Sequence, residues 1–239
     1  MKNEIIDFLL DLVYPPKCYN CKKLFKSNKN KFICPKCEKL LLEESKKTIR
    51  CPICSKAMSD IKLCGFCHQS KVYHNHSIFT YDGFYKKAIY EVKYSENKGL
   101  CKALALMYTE YLIENKEYFK TFDYIVPVPL HKNKLRKRGF NQSSIMAKNI
   151  SDIIKVPYID ILERTVNTKA LSKYNKDERI EILKNVFVIR KLYEDLDLTN
   201  KKILIVDDIY TTGSTINECC KVLENKNIKE IESLCIVIR

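Results

Sequence analysis

The hydrophobic pattern of the chain changes character near His76. From there on, short apolar runs alternate with stretches whose apolar residues recur every three or four positions. Residues 77–81 read as a strand closed by an Asp82-Gly83 turn. Amphipathic helices are predicted over 84–94 and 99–117, the second with Leu100, Leu104, Met107, Tyr111 and Leu112 on one stripe. Residues 123–129 form a strand broken by prolines, followed by a helix over 141–155 and an extended piece over 158–162. After a lysine-rich stretch and a short apolar segment, 185–189, comes the apolar run Lys202-Ile203-Leu204-Ile205-Val206, the pattern of a buried strand. A helix over 214–224 and a strand over 231–238 close the chain. Strands alternating with helices imply right-handed crossovers and a mainly parallel sheet, an α/β fold.

The region ahead of His76 follows no such period. Residues 5–13 are apolar except for Asp7 and Asp11, which lie four apart and so share one face of a short helix ended by Pro15-Pro16. A single Lys2 precedes it and no small-residue cleavage site follows, which argues against an export signal. No run reaches transmembrane length. A cytoplasmic protein is expected.

Eight of the twelve cysteines fall before residue 70, in four Cys-x-x-Cys pairs: Cys18/Cys21, Cys34/Cys37, Cys51/Cys54 and Cys64/Cys67. Each pair forms a knuckle aiming two thiolates at one ion, and two knuckles complete a tetrahedral Zn²⁺ site. Two structural zinc ions are expected, in closed four-thiolate sites. Spacing leaves open whether consecutive or alternating pairs share an ion. So small a segment buries little surface, so the metal would supply its folding free energy. A disulfide framework is the rival, and the missing export signal argues against it. Cys64-Gly65-Phe66-Cys67-His68 also fits a haem-attachment pattern, but that chemistry belongs to exported proteins and leaves three pairs unexplained. His68, His74 and His76 are then surplus and read as surface residues, with His68 available as a substitute ligand. Cys101, Cys219, Cys220 and Cys235 lack partner spacing and read as small core residues. The expected division is a helix and double ribbon over 1–70 and an α/β domain over 71–239.

Composition adds one constraint. Hydrophobic content of 46% and 30% charged residues are ordinary, whereas a net charge of +14 implies attraction to polyanions, phosphorylated metabolites or nucleic acid alike.

The chemistry concentrates at the end of the 202–206 run. Asp207 and Asp208 follow it directly, then Ile209 and Tyr210, then Thr211-Thr212-Gly213-Ser214-Thr215. Backbone N–H groups from Thr211 to Thr215, at the positive end of a helix, can chelate a phosphate monoester. Gly213 allows the turn, and the hydroxyls add donors. The two acids can accept hydrogen bonds from sugar hydroxyls or hold Mg²⁺. The competing reading is a strand and turn whose acids merely cap the next helix. Residues 129–142 follow the first central strand and carry Lys132, Lys134, Arg136, Lys137 and Arg138. Parallel sheets present ligands at the C-terminal ends of their strands, so these cations should face Asp207 and suit a pyrophosphate. A solvated basic loop, or one binding nucleic-acid phosphates, is the alternative.

Tandem Cys-x-x-Cys ribbons, Pro-Val-Pro-Leu-His with Arg138-Gly139-Phe140-Asn141-Gln142, and Asp-Asp with Thr-Thr-Gly-Ser-Thr together resemble the ComF (ComFC/GntX-like) family, over essentially the whole chain. The resemblance implies a double zinc ribbon fused to a type I phosphoribosyltransferase domain with a Rossmann-like sheet. It also implies a link to DNA uptake in natural competence and a helicase-like ATPase partner, ComFA. By position, Asp207 and Asp208 would contact the ribose of 5-phosphoribosyl-1-pyrophosphate (PRPP), with Mg²⁺, and Thr211, Thr212, Gly213, Ser214 and Thr215 its 5-phosphate. Val128, Pro129 and Leu130 would form the pyrophosphate loop, joined by Lys132, Arg136 and Arg138, and Arg164-Thr165 would open a flap over the ligand. The chain departs from the family where Leu171 replaces a flap glutamine. Thr211 stands where purine enzymes place an acid, which weakens a purine assignment and leaves no obvious general base.

Two functions follow. One is phosphoribosyl transfer from PRPP with release of pyrophosphate. The other is a non-catalytic PRPP sensor or scaffold that engages single-stranded DNA and the helicase partner through its ribbons and basic surface.

Overall fold

The computed structural model of the protein describes residues 15–26, 32–60, 64, 65, 67, 73–95, 97–168 and 176–239. The helix expected over 5–13, His68 and Leu171 lie outside these residues. The elements are α1 (Pro35–Lys47), β1 (Asn75–His76), β2 (Phe79–Thr80), α2 (Gly83–Tyr94), α3 (Lys98–Leu106), α4 (Thr109–Glu114) and α5 (Lys116–Phe119). Then follow β3 (Tyr124–Pro127), α6 (Lys132–Arg138), α7 (Gln142–Ile154), β4 (Leu162–Arg164), α8 (Lys176–Leu183) and β5 (Phe187–Ile189). The last three are β6 (Lys202–Tyr210), α9 (Ser214–Glu224) and β7 (Glu230–Ile238).

The expected parallel sheet is present. β3, β6 and β7 lie side by side, and β1 and β2 both pair with the far edge of β7, every pairing parallel. β6 and β7 are buried on both faces, which is why each contains an unbroken apolar run, Ile203–Val206 and Leu234–Ile238. Alternate residues feed two separate cores. Leu204, Val206, Leu234 and Ile236 pack with α2, α3 and α7, whereas Ile203, Ile205 and Cys235 pack with α9 and the antiparallel ribbon β4–β5. Cys18, Cys34 and Cys37 join the first core, and Cys51, Cys54 and Cys64 the second. The two cysteine ribbons therefore brace opposite layers of one body. Cys101, Cys219, Cys220 and Cys235 are fully buried, in keeping with core roles.

The strand expected over 77–81 is confined to β2, with β1 ahead of it, and two helical stretches depart further from expectation. The single helix predicted over 99–117 is divided into α3, α4 and α5. Its first break falls at Tyr108, whose ring is buried and whose hydroxyl donates to the Cys235 and Ile236 carbonyls of β7 while accepting from Ile78 N. A buried tyrosine needs such partners, and the broken helix lets this one reach the sheet. The stretch 129–142, expected as a loop, contains α6. His131 caps it, its Nδ1 accepting from Asn133 N at 3.2 Å, and Gly139 ends it at φ +75°. Lys, Arg and Leu are good helix formers but give no apolar period to detect.

Among the described residues, no helix is long and apolar enough to cross a membrane.

Candidate ligand pocket and metal centres

Because β3 and β6 are parallel neighbours, in register from Tyr124↔Ile203 to Pro127↔Val206, both deliver their following residues to one edge of the sheet. Val128, Pro129 and Leu130 leave β3 there, beside Asp207 and Asp208 in the second half of β6, which runs on to Tyr210. Both border a cavity of about 570 Å³. Two hydrogen bonds tie the edge to the start of α7: Asn141 Nδ2 donates to Val128 O at 3.0 Å, and Ser143 Oγ donates to Asp207 Oδ1 at 2.8 Å. Asp208 N also donates to Asp207 Oδ1, at 2.9 Å. From α2, Lys93 Nζ sits 2.8 Å from Asp208 Oδ2.

Both acids are buried. Burial, then the neighbouring negative charge of Asp208, pushes the Asp207 carboxyl up to about 7, against the pull of Lys93 and the bond from Ser143. The cations opposite are strained in the reverse sense. Burial, then Arg164, Arg138 and Lys93, lowers Lys134 to about 8. Burial also holds Arg138 and Arg164 below their ordinary values. Lys134 thus sits buried among like charges, so a polyanionic ligand would relieve the repulsion upon it.

The phosphate-type loop closes a third side. α9 starts at Ser214, so the loop sits at a helix N-terminus. Gly213 has φ +71°, and a Cβ there would lie 2.5 Å from Tyr210 Oη, so only glycine fits. Thr212 and Ser214 hydroxyls are 2.8 Å apart, and Arg179 Nη1 donates to Thr211 Oγ1 at 3.0 Å.

Val128, Pro129, Leu130, Arg138, Arg164, Asp207, Asp208, Thr211 and Thr215 all border the cavity, with Thr212, Gly213 and Ser214 between the last two in the chain. Lys132 and Arg136 do not border it; they are exposed, whereas Lys134, Lys137 and Arg138 share the cavity side of α6. A helix groups residues three and four apart, so the helical conformation re-sorts the cations that a loop reading treats alike. Sequence reasoning missed Lys93, Ser143, Arg179 and Tyr90. Ser143 directly follows the Arg138–Gln142 motif and was within reach of it; Lys93 carries no local signal, being one lysine of several on a surface helix.

The thiolates sort into consecutive sets: Cys18, Cys21, Cys34 and Cys37, then Cys51, Cys54, Cys64 and Cys67, each with its four Sγ atoms within 4.8 Å of one another. Representative separations are 3.9 Å for Cys21–Cys34 and 3.6 Å for Cys54–Cys64. A tetrahedron of Zn–S bonds of about 2.3 Å requires about 3.8 Å, so zinc fits both. The ribbons are built alike. Lys22 and Ser55, each four residues after a first cysteine, take φ +63° and +65°, and Cys34 N and Cys64 N donate to Cys18 Sγ and Cys51 Sγ. Burial opposes thiolate formation at Cys18 and Cys51, but such backbone donors outweigh it and bring them to about 7 and about 6. His74 and His76 are not free surface residues; they flank the buried Glu232.

Family models and curated relatives agree with this architecture. The family model of the double zinc ribbon domain matches residues 9–68, and that of the phosphoribosyl transferase domain matches residues 140–239. The competence protein ComFC of Streptococcus pneumoniae is 30% identical over 190 residues, covering 78% of this chain and 80% of that protein. ComFC of Bacillus subtilis is 24% identical over 184 residues, 74% and 72% of the two chains. The DNA utilization protein YhgH of Escherichia coli K12 is 28% identical over 151 residues, 62% and 64%. Among solved structures, an adenine phosphoribosyltransferase overlaps 61% of this chain and 74% of its own at 16% identity and a TM-score of 0.38. With two four-cysteine ribbons ahead of a parallel sheet that ends in paired acids and a phosphate-type loop, the chain belongs to the ComF family of double-zinc-ribbon phosphoribosyltransferase-domain proteins.

Proposed function

We propose that the cavity at the ends of β3 and β6 binds PRPP and that the protein acts in DNA uptake. The observation that carries this reading is the meeting, around one cavity, of two buried acids, a helix-capped phosphate loop and a cluster of cations lowered by burial. Thr211 to Thr215 would hold the 5-phosphate, and Asp207 and Asp208 the ribose hydroxyls. The pyrophosphate would lie against Val128, Pro129 and Leu130, with Arg138, Lys134 and Arg164 as counter-charges. Mg²⁺ would be held by Asp207 and Asp208, the first a carboxyl raised by burial and by its acidic neighbour, and would neutralise pyrophosphate charge.

In phosphoribosyl transfer the bond from the anomeric carbon to pyrophosphate breaks as an acceptor nitrogen or oxygen attacks. The chain's task would be to orient the ribose and stabilise the departing anion, which asks for positioning rather than a dedicated base. The relatives' names, competence protein and DNA utilization protein, favour a role in handling incoming DNA.

One observation favours the non-catalytic reading. Tyr90 and Tyr94 are exposed at the cavity mouth with ring centroids 4.6 Å apart, beside Lys93 and Lys137. Aromatic rings beside cations are what single-stranded DNA requires, bases stacking while phosphates meet the charges. A helicase-type ATPase partner and a cytoplasmic location complete that picture.

The test is incubation of the protein with PRPP, Mg²⁺ and a panel of bases and amines, reading free pyrophosphate. Release with one acceptor establishes the enzyme; tight PRPP binding without release on any acceptor establishes the sensor. Failure to bind PRPP at all removes both.

A further inference from the structure

The side chains of His74, His76 and Glu232 meet at the edge where β1 joins β7, in a group that shares no residue with either cysteine set. His74 and His76 lie two apart on an extended segment and so project to one side. The register Asn75↔Ser233 sets Glu232 of β7 beside His74. His74 Nδ1 is 3.2 Å from Glu232 Oε1, and His76 Nε2 is 2.6 Å from Glu232 Oε2. The three ligand atoms lie within 4.8 Å of one another.

The outer nitrogens decide how these rings can be protonated. His74 Nε2 is 2.7 Å from the Pro52 carbonyl oxygen, which only accepts, so this nitrogen carries a hydrogen. A neutral imidazole then has a bare lone pair at Nδ1, facing a carboxylate oxygen. That arrangement needs a cation between them, either a second proton or a metal ion. His76 Nε2 likewise faces Glu232, while its Nδ1 lies 3.4 Å from the Tyr111 hydroxyl, which can donate or accept, so either ring nitrogen can carry the proton. Metal-ligating histidines characteristically donate their far N–H to a carbonyl or similar acceptor, which fixes the tautomer and aims the near nitrogen. Glu232 is buried, and Tyr118 Oη donates to both its oxygens at 2.8 Å. Although burial opposes its charge, the bonds from His74, His76 and Tyr118 hold its carboxyl well below the usual range, so the acid is ionised.

We propose that His74, His76 and Glu232 form a third divalent-metal site, of the zinc type, that fastens the second cysteine ribbon to the edge of the sheet. Two imidazoles and a carboxylate are a donor set that zinc accepts. Pro52 lies between Cys51 and Cys54, so the outer bond of His74 runs directly into that ribbon's first knuckle. On binding, the His74 Nδ1 proton leaves to solvent, and His76 moves its proton to Nδ1, toward Tyr111. The ion adds two positive charges where one proton is lost.

Full-length zinc-loaded protein is titrated with Co²⁺, reading visible absorption and total zinc plus cobalt per chain. The expected result is three metal ions per chain, the third giving weak d–d bands with no thiolate charge-transfer band. His74→Gln/His76→Gln should hold two ions and lose that spectrum. His74→Gln alone, at a half-exposed position suited to a folded variant, should weaken the third ion by at least about tenfold. Two ions in the unsubstituted protein, or a third that persists unchanged in the double variant, overturns the assignment.

Discussion

Lys93 Nζ lies 2.8 Å from Asp208 Oδ2, which joins the last turn of α2 to the C-terminal end of β6. This contact puts a fixed positive charge beside the paired acids, and it is the main influence keeping Asp207 from rising further. Removing it leaves Asp208 buried without its partner. Lys93→Met should therefore lower stability by about 1–3 kcal/mol, and Lys93→Met/Asp208→Asn should recover most of that loss. Denaturant melts of the two variants check it; equal destabilisation in both would contradict the pairing.

Asp207 gives a signed pH effect. Its carboxyl is raised from 3.8 to about 7 on folding, so between these values the folded chain holds a proton that the unfolded chain releases. That contribution to stability is present below about pH 4 and is lost as pH rises through about 7. Asp207→Asn should flatten this part of the profile and leave the ligand-free protein more stable than the unsubstituted one at pH 8. Thermal melts at pH 5 and pH 8 decide; a gap between the two proteins that does not widen toward pH 8 would rule out a raised Asp207.

Gly213 should tolerate no side chain. Gly213→Ala combines φ +71° with a Cβ that would collide with Tyr210 Oη, and should cost about 1–2 kcal/mol while disordering the phosphate loop. Tyr210→Phe removes the hydroxyl in the way, so Tyr210→Phe/Gly213→Ala should regain part of the stability. Unfolding midpoints of the three variants report this, and no recovery would place the strain elsewhere.

The ribbons should be structural for the whole body, since each contributes cysteines to one of the two cores. Cys18→Ser and Cys51→Ser should each remove one thiolate-bound zinc per chain. Each should also lower the melting temperature by roughly 5 °C or more, the sheet melting along with the ribbon. Metal analysis with calorimetry tests this; a sheet that melts at its original temperature would mean the ribbons fold independently.

The strand–acids–loop–helix unit over 202–224 was legible because every level agreed: an apolar run for a central strand, acids at its end, and glycine where the backbone turns left-handed. Spacing identified the cysteine knuckles, but only the folded positions of their Sγ atoms resolved which pairs share an ion. α6 escaped notice because Lys132–Arg138 has no apolar stripe, and with it went the sorting of Lys134 and Lys137 from Lys132 and Arg136. The break at Tyr108 depends on carbonyls of β7, far along the chain, as the role of Lys93 depends on Asp208. His74 and His76 read as surface residues until β7 brought Glu232 between them. What local pattern could not show was contact between distant segments.

The central claim is tested most directly by titrating PRPP with Mg²⁺ into the protein and into Asp207→Asn/Asp208→Asn by calorimetry, with circular dichroism as a check on folding. The account predicts saturable one-site binding that weakens by roughly a hundredfold or more in the folded double variant. Equal affinity in the two proteins, or no binding by the unsubstituted chain, would contradict it.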